Sequence, residues 1–219
     1  MALAEPVPRR RGTRLSPQQR RRELIEATIT VLAGKGHEGF TLADVGREAG
    51  VSPSLVLLHF QSKEGLLQEV MVHMARIYFG SLHASQIGPR SAAARLWRLV
   101  EAEFAPEYFT DRYLGAWRTF WVALNCRKDY LALFGDETRH FTRLAQDLCA
   151  EILDSGAYPQ HEARVAGRLI DAALGGLWIE LTHGPEPLSI DEARHIARAM
   201  LVMLFPRHFS PTGPVDEAG

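Results

Sequence analysis

Residues 41–60 read TLADVGREAGVSPSLVLLHF, and this stretch decides the fold. Thr41 with Asp44 three positions on resembles a capping box, which predicts a short helix with Leu42, Val45 and Ala49 on its apolar face. Gly50 can take the positive φ that a tight turn needs. Ser52-Pro53 then restarts a helix, an N-cap followed by proline at the first helical position, and that helix can run to about Phe60. Two short helices about a glycine turn make a helix-turn-helix, whose second helix is built to enter a DNA major groove.

Upstream, Ser16-Pro17 is another helix start, followed by Leu24, Ala27, Thr28 and Val31 at helical spacing; Gly34, Gly36 and Gly39 end that helix. Downstream, Ser62 with Lys63-Glu64 starts a fourth helix through Leu66, Leu67, Val70 and Met74. Breaks at Gly88-Pro89, Pro106, residues 156–159 and residues 184–187 separate helical patterns over 91–104, 110–124, 128–154, 160–183 and 189–205. No alternating stretch bounded by hairpin signals stands out. The chain therefore reads as all-α, about nine helices. The divisions are a flexible basic arm over 1–15, a helix-turn-helix DNA-binding domain over 16–61, a ligand-binding and dimerisation domain over 62–206, and a disordered tail over 207–219.

The formal net charge of −1 hides an asymmetry: residues 1–75 hold 10 Lys/Arg against 8 Asp/Glu, and residues 76–219 hold 15 against 18. The basic excess lies in seven arginines with no acid between them over 9–22, a segment able to meet phosphates or to stay a solvated tail. Cys126 and Cys149 sit in helical stretches without a CxxC and read as reduced thiols. No secretory leader is seen at the N-terminus, and the apolar runs fall short of the roughly 18 residues that span a bilayer, so a cytoplasmic protein without membrane contact is expected.

Enzymatic and metal motifs fail on context. Residues 34–39, GKGHEG, match GxGxxG but follow a helix rather than a strand. His161-Glu162 begins like HExxH, but Val165 takes the second histidine position. There is no GxSxG and no P-loop, so no catalytic residue, cofactor or metal is expected. What remains is recognition chemistry. Thr41 and Ser62-Lys63, at helix starts, are suited to grip the DNA backbone. Ser52, Pro53, Ser54, Leu55, Leu58 and His59 fall on the reading helix, where Ser52 and Ser54 can hydrogen-bond and Leu55 can touch a thymine methyl. Val51, Val56 and Phe60 are better placed as the core beneath it, and Leu57 and Leu58 could serve either role.

Residues 16–74 resemble the N-terminal domain of the tetracycline-repressor (TetR) family. The run GVSPSLVLLHFQSKEGLL over 50–67 carries the likeness, with the glycine-rich turn before Phe40-Thr41. The family often has Gly, Thr, Tyr and Tyr where this chain has Ser54, Leu55, Leu57 and Leu58, and leucine cannot bond a phosphate as tyrosine does. The resemblance implies a homodimer that binds a near-palindromic operator and releases it when a small molecule enters the C-terminal domain.

Over residues 104–121 the chain reads FAPEYFTDRYLGAWRTFW, and Trp117, Phe120, Trp121 and Leu124 share one helix face. Converging rings hold a quaternary ammonium by cation–π attraction, although rings at helical spacing also serve as core. This segment, with Gly176-Leu177-Trp178, resembles the choline-responsive repressors of glycine-betaine synthesis. That resemblance makes Trp117, Trp121 and Trp178 candidate pocket residues. Glu180, Asp171, Glu101 and Glu103 are candidate counter-charges, with Glu180 preferred. The last two helices carry apolar faces, Ala166, Ile170, Ala173, Leu174 and Leu177, then Ile196, Met200, Met203 and Leu204. These faces serve either a dimer contact, as the family implies, or the interior of the monomer. The alternatives are a repressor of an efflux or catabolic operon with another ligand, or a ligand-binding protein with weak DNA affinity.

Overall fold

The computed structural model describes residues 15–88, 91–122, 124–154, 158, 162–183 and 188–215. Among these residues the chain forms nine helices and one short hairpin. A head of α1 (Pro17–Gly39), α2 (Leu42–Glu48) and α3 (Pro53–Phe60) precedes α4 (Lys63–Ser85), α5 (Ala92–Ala102), α6 (Asp111–Val122), α7 (Leu124–Leu153), α8 (Ala163–His183) and α9 (Ile190–Leu204). No helix among the described residues is long and apolar enough to cross a membrane.

Local chemistry fixes the head. Ser16 Oγ accepts from the Gln19 amide at 3.2 Å and Gln19 Oε1 accepts from the Ser16 amide at 2.9 Å, capping α1. The Thr41–Asp44 capping box forms, with Asp44 Oδ2 accepting from the Thr41 amide at 3.0 Å. Gly50 makes the turn at φ 66°. Leu24, Ile29, Phe40, Val45 and Val56 are fully buried, so all three helices turn their apolar faces onto one core. That core runs on without a break through Leu66, Val70 and Met74 of α4 into Leu96, Phe104 and Ala116.

Head and body also meet where α1 crosses α6. A Cβ at Gly115 would lie 2.9 Å from Ala33 Cβ and 3.0 Å from its Cα, so the two backbones approach as closely as glycine permits. Beside that crossing, Arg112 on α6 reaches Glu26 on α1, an ion pair of 2.7 Å.

One expectation from the sequence needs correction. Residues 207–215 are folded rather than a disordered tail. β1 (Phe209–Ser210) pairs antiparallel with β2 (Gly213–Pro214), and the buried Phe209 ring stacks on Trp97 at 6.0 Å. The Tyr158 hydroxyl lies 2.9 Å from His208 Nδ1 and accepts from the Arg207 amide at 2.8 Å. An aromatic anchor buries enough apolar surface to hold so short a hairpin; residues 216–219 lie outside the described residues. On α8 the structure decides between the two alternatives for the apolar face. Ala166, Ile170, Leu174 and Leu177 are buried inside the monomer. A different stripe, Val165, Leu169, Ala172, Gly176 and Ile179, is exposed. The helix is apolar on two faces, and spacing alone could not say which faced inward. Cys149 is buried, which pushes its thiol up to about 12 and keeps it protonated; the Cys126 side chain lies outside the described residues.

Candidate functional site

The reading element is α3. Val56 and Phe60 anchor it from below, and Ser52, Pro53, Ser54, Leu57 and Leu58 face solvent, with Leu55 and His59 half-buried. Ser52 Oγ is engaged as the N-cap, accepting from the Leu55 amide at 3.3 Å. Leu57 and Leu58 are 45% and 76% exposed, which removes the core alternative for both.

Several basic side chains near α3 act inside the protein. Lys63 donates to the Phe40 carbonyl at 2.9 Å and its Nζ sits 4.2 Å from the Phe40 ring centroid. The grip expected of Lys63 on DNA therefore competes with a tether between head and α4. Arg21 lies 4.5 Å over the Phe60 ring and pairs with Glu69 at 3.0 Å, and Arg20 pairs with Glu23 at 2.7 Å. Arg9, Arg10, Arg11 and Arg14 lie outside the described residues. Thr41 is exposed at the α2 start, its hydroxyl donating to Asp44 at 2.8 Å. Hydrogen bonds from Lys35, then Thr41, hold the Asp44 carboxyl far below the usual carboxylate range.

The second site lies in the body. Trp178 of α8 stands at the centre of a ring cluster: Phe109 at 4.6 Å, Tyr78 at 5.8 Å, Tyr108 at 6.2 Å and Trp117 at 6.4 Å between centroids. Tyr108 lies parallel to Trp178 and Tyr78 stands edge-on to both. Within this cluster sits the buried carboxylate of Glu103. It accepts from the Tyr78 hydroxyl at 2.9 and 3.0 Å and from Trp178 Nε1 at 3.2 Å. Burial pushes its pKa up to about 7, partly offset by those bonds and reinforced by the charge of Asp171. A cavity of about 90 Å³ adjoins it, lined among others by Tyr78, Phe79, Leu82, Phe141 and Asp171. A larger cleft, about 790 Å³, lies open along the outer side of α1 and has no aromatic wall. The small cavity is the one beside the buried charge.

The structure thus brings Trp117 and Trp178 together and leaves Glu180 apart. Glu180, the carboxylate preferred from the sequence, is exposed on α8, and the carboxylate buried among the rings is that of Glu103. The Trp121 side chain lies outside the described residues. Tyr78, Tyr108 and Phe109 are cage members that spacing did not single out. Tyr78 sits far along a helix that reads as ordinary amphipathic sequence, and Tyr108 and Phe109 follow a proline in a segment without periodicity.

A third cluster joins the two sites. Glu26 on α1 lies 2.8 Å from His73 Nε2 of α4, accepts from Arg112 Nη2 of α6 at 2.7 Å, and accepts from the Tyr113 hydroxyl at 3.5 Å. Hydrogen bonds from His73 and then Arg112 hold its carboxyl down at about 2. Tyr78 follows His73 by five residues on α4, and Trp117 follows Arg112 by five on α6. Each helix therefore carries a cage ring about 7.5 Å of helical rise beyond its Glu26 partner. Among the described residues, no group of three or more His, Cys, Asp or Glu is placed to hold a metal ion.

An exposed, anchored helix-turn-helix joined to a helical body with a charged aromatic cage defines a ligand-responsive DNA-binding regulator. Comparison with known proteins agrees. Residues 24–70 match the profile of the bacterial regulatory proteins of the tetR family, and residues 92–206 match that of the BetI-type transcriptional repressor C-terminal domain. The HTH-type transcriptional regulator BetI of Paraburkholderia phytofirmans is 31% identical over 182 residues, 81% of this chain and 89% of the relative. That of Escherichia coli O157:H7 is 29% identical over 191 residues, 85% and 94% of the two chains. A crystallised Pseudomonas aeruginosa PAO1 chain is 27% identical with a TM-score of 0.69, covering 88% of this chain and 93% of that one. A Saccharomonospora viridis chain solved in complex with choline shares the fold at a TM-score of 0.69 and 22% identity, over 84% of this chain and 96% of that one. The chain belongs to the TetR family of transcriptional regulators, with a BetI-type C-terminal domain. It is a DNA-binding regulator and not an enzyme.

Proposed function

We propose that the chain is a homodimeric cytoplasmic repressor that leaves its operator when a small quaternary ammonium ion, choline first among them, enters the cage around Glu103. The observation that carries the ligand class is a buried carboxylate held by Tyr78 and Trp178, with Tyr108, Phe109 and Trp117 packed around the indole. Ring faces attract a cation that ammonium-type ligands present without a hydrogen-bond donor, and the carboxylate neutralises it. A cation in the cage would pair with the Glu103 carboxylate once its proton is lost, and an uncharged effector could not, which favours the cationic class. The BetI relatives and the choline-bound structural neighbour support the same reading.

The rings touch one another, so a cation cannot lie within about 6 Å of several faces until they part. Parting them moves Tyr78 on α4 and Trp117 on α6 relative to Trp178, and both helices are tied to the head through Glu26. The fourth helix and α6 thus act together as the lever between cage and head. DNA affinity then falls by the ligand's preference for the opened body. The test uses the full-length protein and the DNA upstream of its own gene, with binding read by fluorescence anisotropy. Choline is expected to release the DNA. Glycine betaine, whose own carboxylate would face Glu103, is expected to do so far less. Binding that ignores choline, or release by both alike, would overturn the ligand assignment.

The dimer contact is assigned to the exposed stripe of α8, Val165, Leu169 and Ile179, with Ile196 and Met203 of α9. Surface apolar rows of this kind are buried by a second copy, and a two-fold protein matches a near-palindromic operator. The double variant Leu169→Glu, Ile179→Glu is expected to run as a monomer in light scattering and to bind operator at least about 10-fold more weakly. A variant that stays dimeric would move the contact elsewhere.

A further inference from the structure

We propose that Leu57 and Leu58 form an apolar reading surface that selects C5-methyl groups in the major groove, so that this regulator reads thymine, and equally 5-methylcytosine, where they point. The inference rests on the DNA-reading role of α3 and concerns what that helix can recognise. Over its eight residues, PSLVLLHF, α3 contains no Arg, Lys, Asn, Gln, Asp or Glu. Side chains that make paired hydrogen bonds to guanine or adenine are therefore missing from the helix. Arg47, on the preceding helix, has its Nη1 on Asp44 at 2.9 Å, and Lys63 and Arg21 are held by Phe40, Phe60 and Glu69.

What α3 offers instead is one face. Ser54, Leu57 and Leu58 stand at i, i+3 and i+4, all exposed, while Val56 and Phe60 are buried behind them. Leu58 is 76% exposed. A leucine brought into the major groove loses water and needs an apolar partner there. Among the base edges of that groove, the thymine C5-methyl is the apolar group. Methylation of cytosine at C5 places the same group at the same position. An apolar reader accepts that change, whereas a reader bonded to the cytosine amino group gains nothing from it.

The experiment begins by selecting an operator from a random duplex library with the full-length protein. Each thymine of the selected half-site is then replaced by deoxyuridine, one at a time, and binding is measured at fixed salt. At one or two positions per half-site, loss of the methyl is expected to weaken binding about 4-fold, the transfer value of one such group. At those positions a 5-methylcytosine pair should bind better than a cytosine pair by a similar factor. Leu58→Ala and Leu57→Ala, both surface changes, should each bind thymine and uracil equally at one of them. If selection returns an operator but uracil is silent throughout, or if both variants keep the full uracil penalty, the methyl reading is wrong and the DNA-binding role stands. If selection returns no sequence, the DNA-reading role of α3 falls with it.

Discussion

Glu103→Gln is expected to lower choline affinity by about 100-fold or more, because removing one partner of an enclosed charge pair forfeits several kcal/mol. Operator binding without ligand should survive, since Glu103 lies in the body and touches no head residue that the structure describes. Calorimetric titration with choline at pH 8 checks the first part and anisotropy checks the second. Proton linkage supplies an independent readout. The folded carboxyl holds its proton up to about 7, against 4.5 in the unfolded chain. Between those values only the folded state is protonated, so stability falls as pH rises, by about 3 kcal/mol in all once pH exceeds 7. A bound cation favours the ionised carboxyl and opposes that loss. The choline-induced rise in melting temperature should therefore be larger at pH 8 than at pH 6, and the Gln variant should show little of this difference. Equal shifts at both pH values would remove Glu103 from the site.

Glu26→Gln is expected to separate binding from release. The variant should bind choline as the natural chain does when DNA is absent, because Glu26 lies outside the cage. It should hold operator nearly as well whether choline is present or not. Coupling between two sites is the ratio of ligand affinities with and without operator, typically about 5- to 150-fold. In this variant the ratio should collapse toward one. A purely structural role would lower stability or operator binding and leave the ratio alone. Arg112→Gln, which removes one of the Glu26 contacts, should give a weaker version of the same result. A Glu26 variant that is still released by choline with the natural ratio would exclude this cluster as the link.

Much of the architecture was legible because local signals agree with one another. Ser16-Pro17, Thr41 with Asp44, Gly50 and Ser52-Pro53 each fix a helix end through short-range chemistry, and the structure places helix ends there. The body was harder to read. Which carboxylate meets Trp178 depends on where the end of α5 lies relative to α8, and periodicity carries no such information; Glu180 and Glu103 both look like acids on amphipathic helices. Likewise Tyr78 and Trp178 are 100 positions apart in sequence and 5.8 Å apart between ring centroids. The two apolar stripes of α8 were indistinguishable until the neighbours of that helix were known. The hairpin after α9 was missed because a single aromatic anchor, Phe209, leaves no pattern.

In the proposed site, Tyr78 and Trp178 already occupy the carboxylate that an effector would have to claim. A receptor that first has to dissolve its own internal bonds discounts every encounter by the scarcity of its opened form, so the apparent dissociation constant exceeds the intrinsic one by that factor. Such a sensor ignores trace amounts and answers to abundance. That set point suits a solute accumulated in bulk, and loosening the Tyr78 hydroxyl would move it downward.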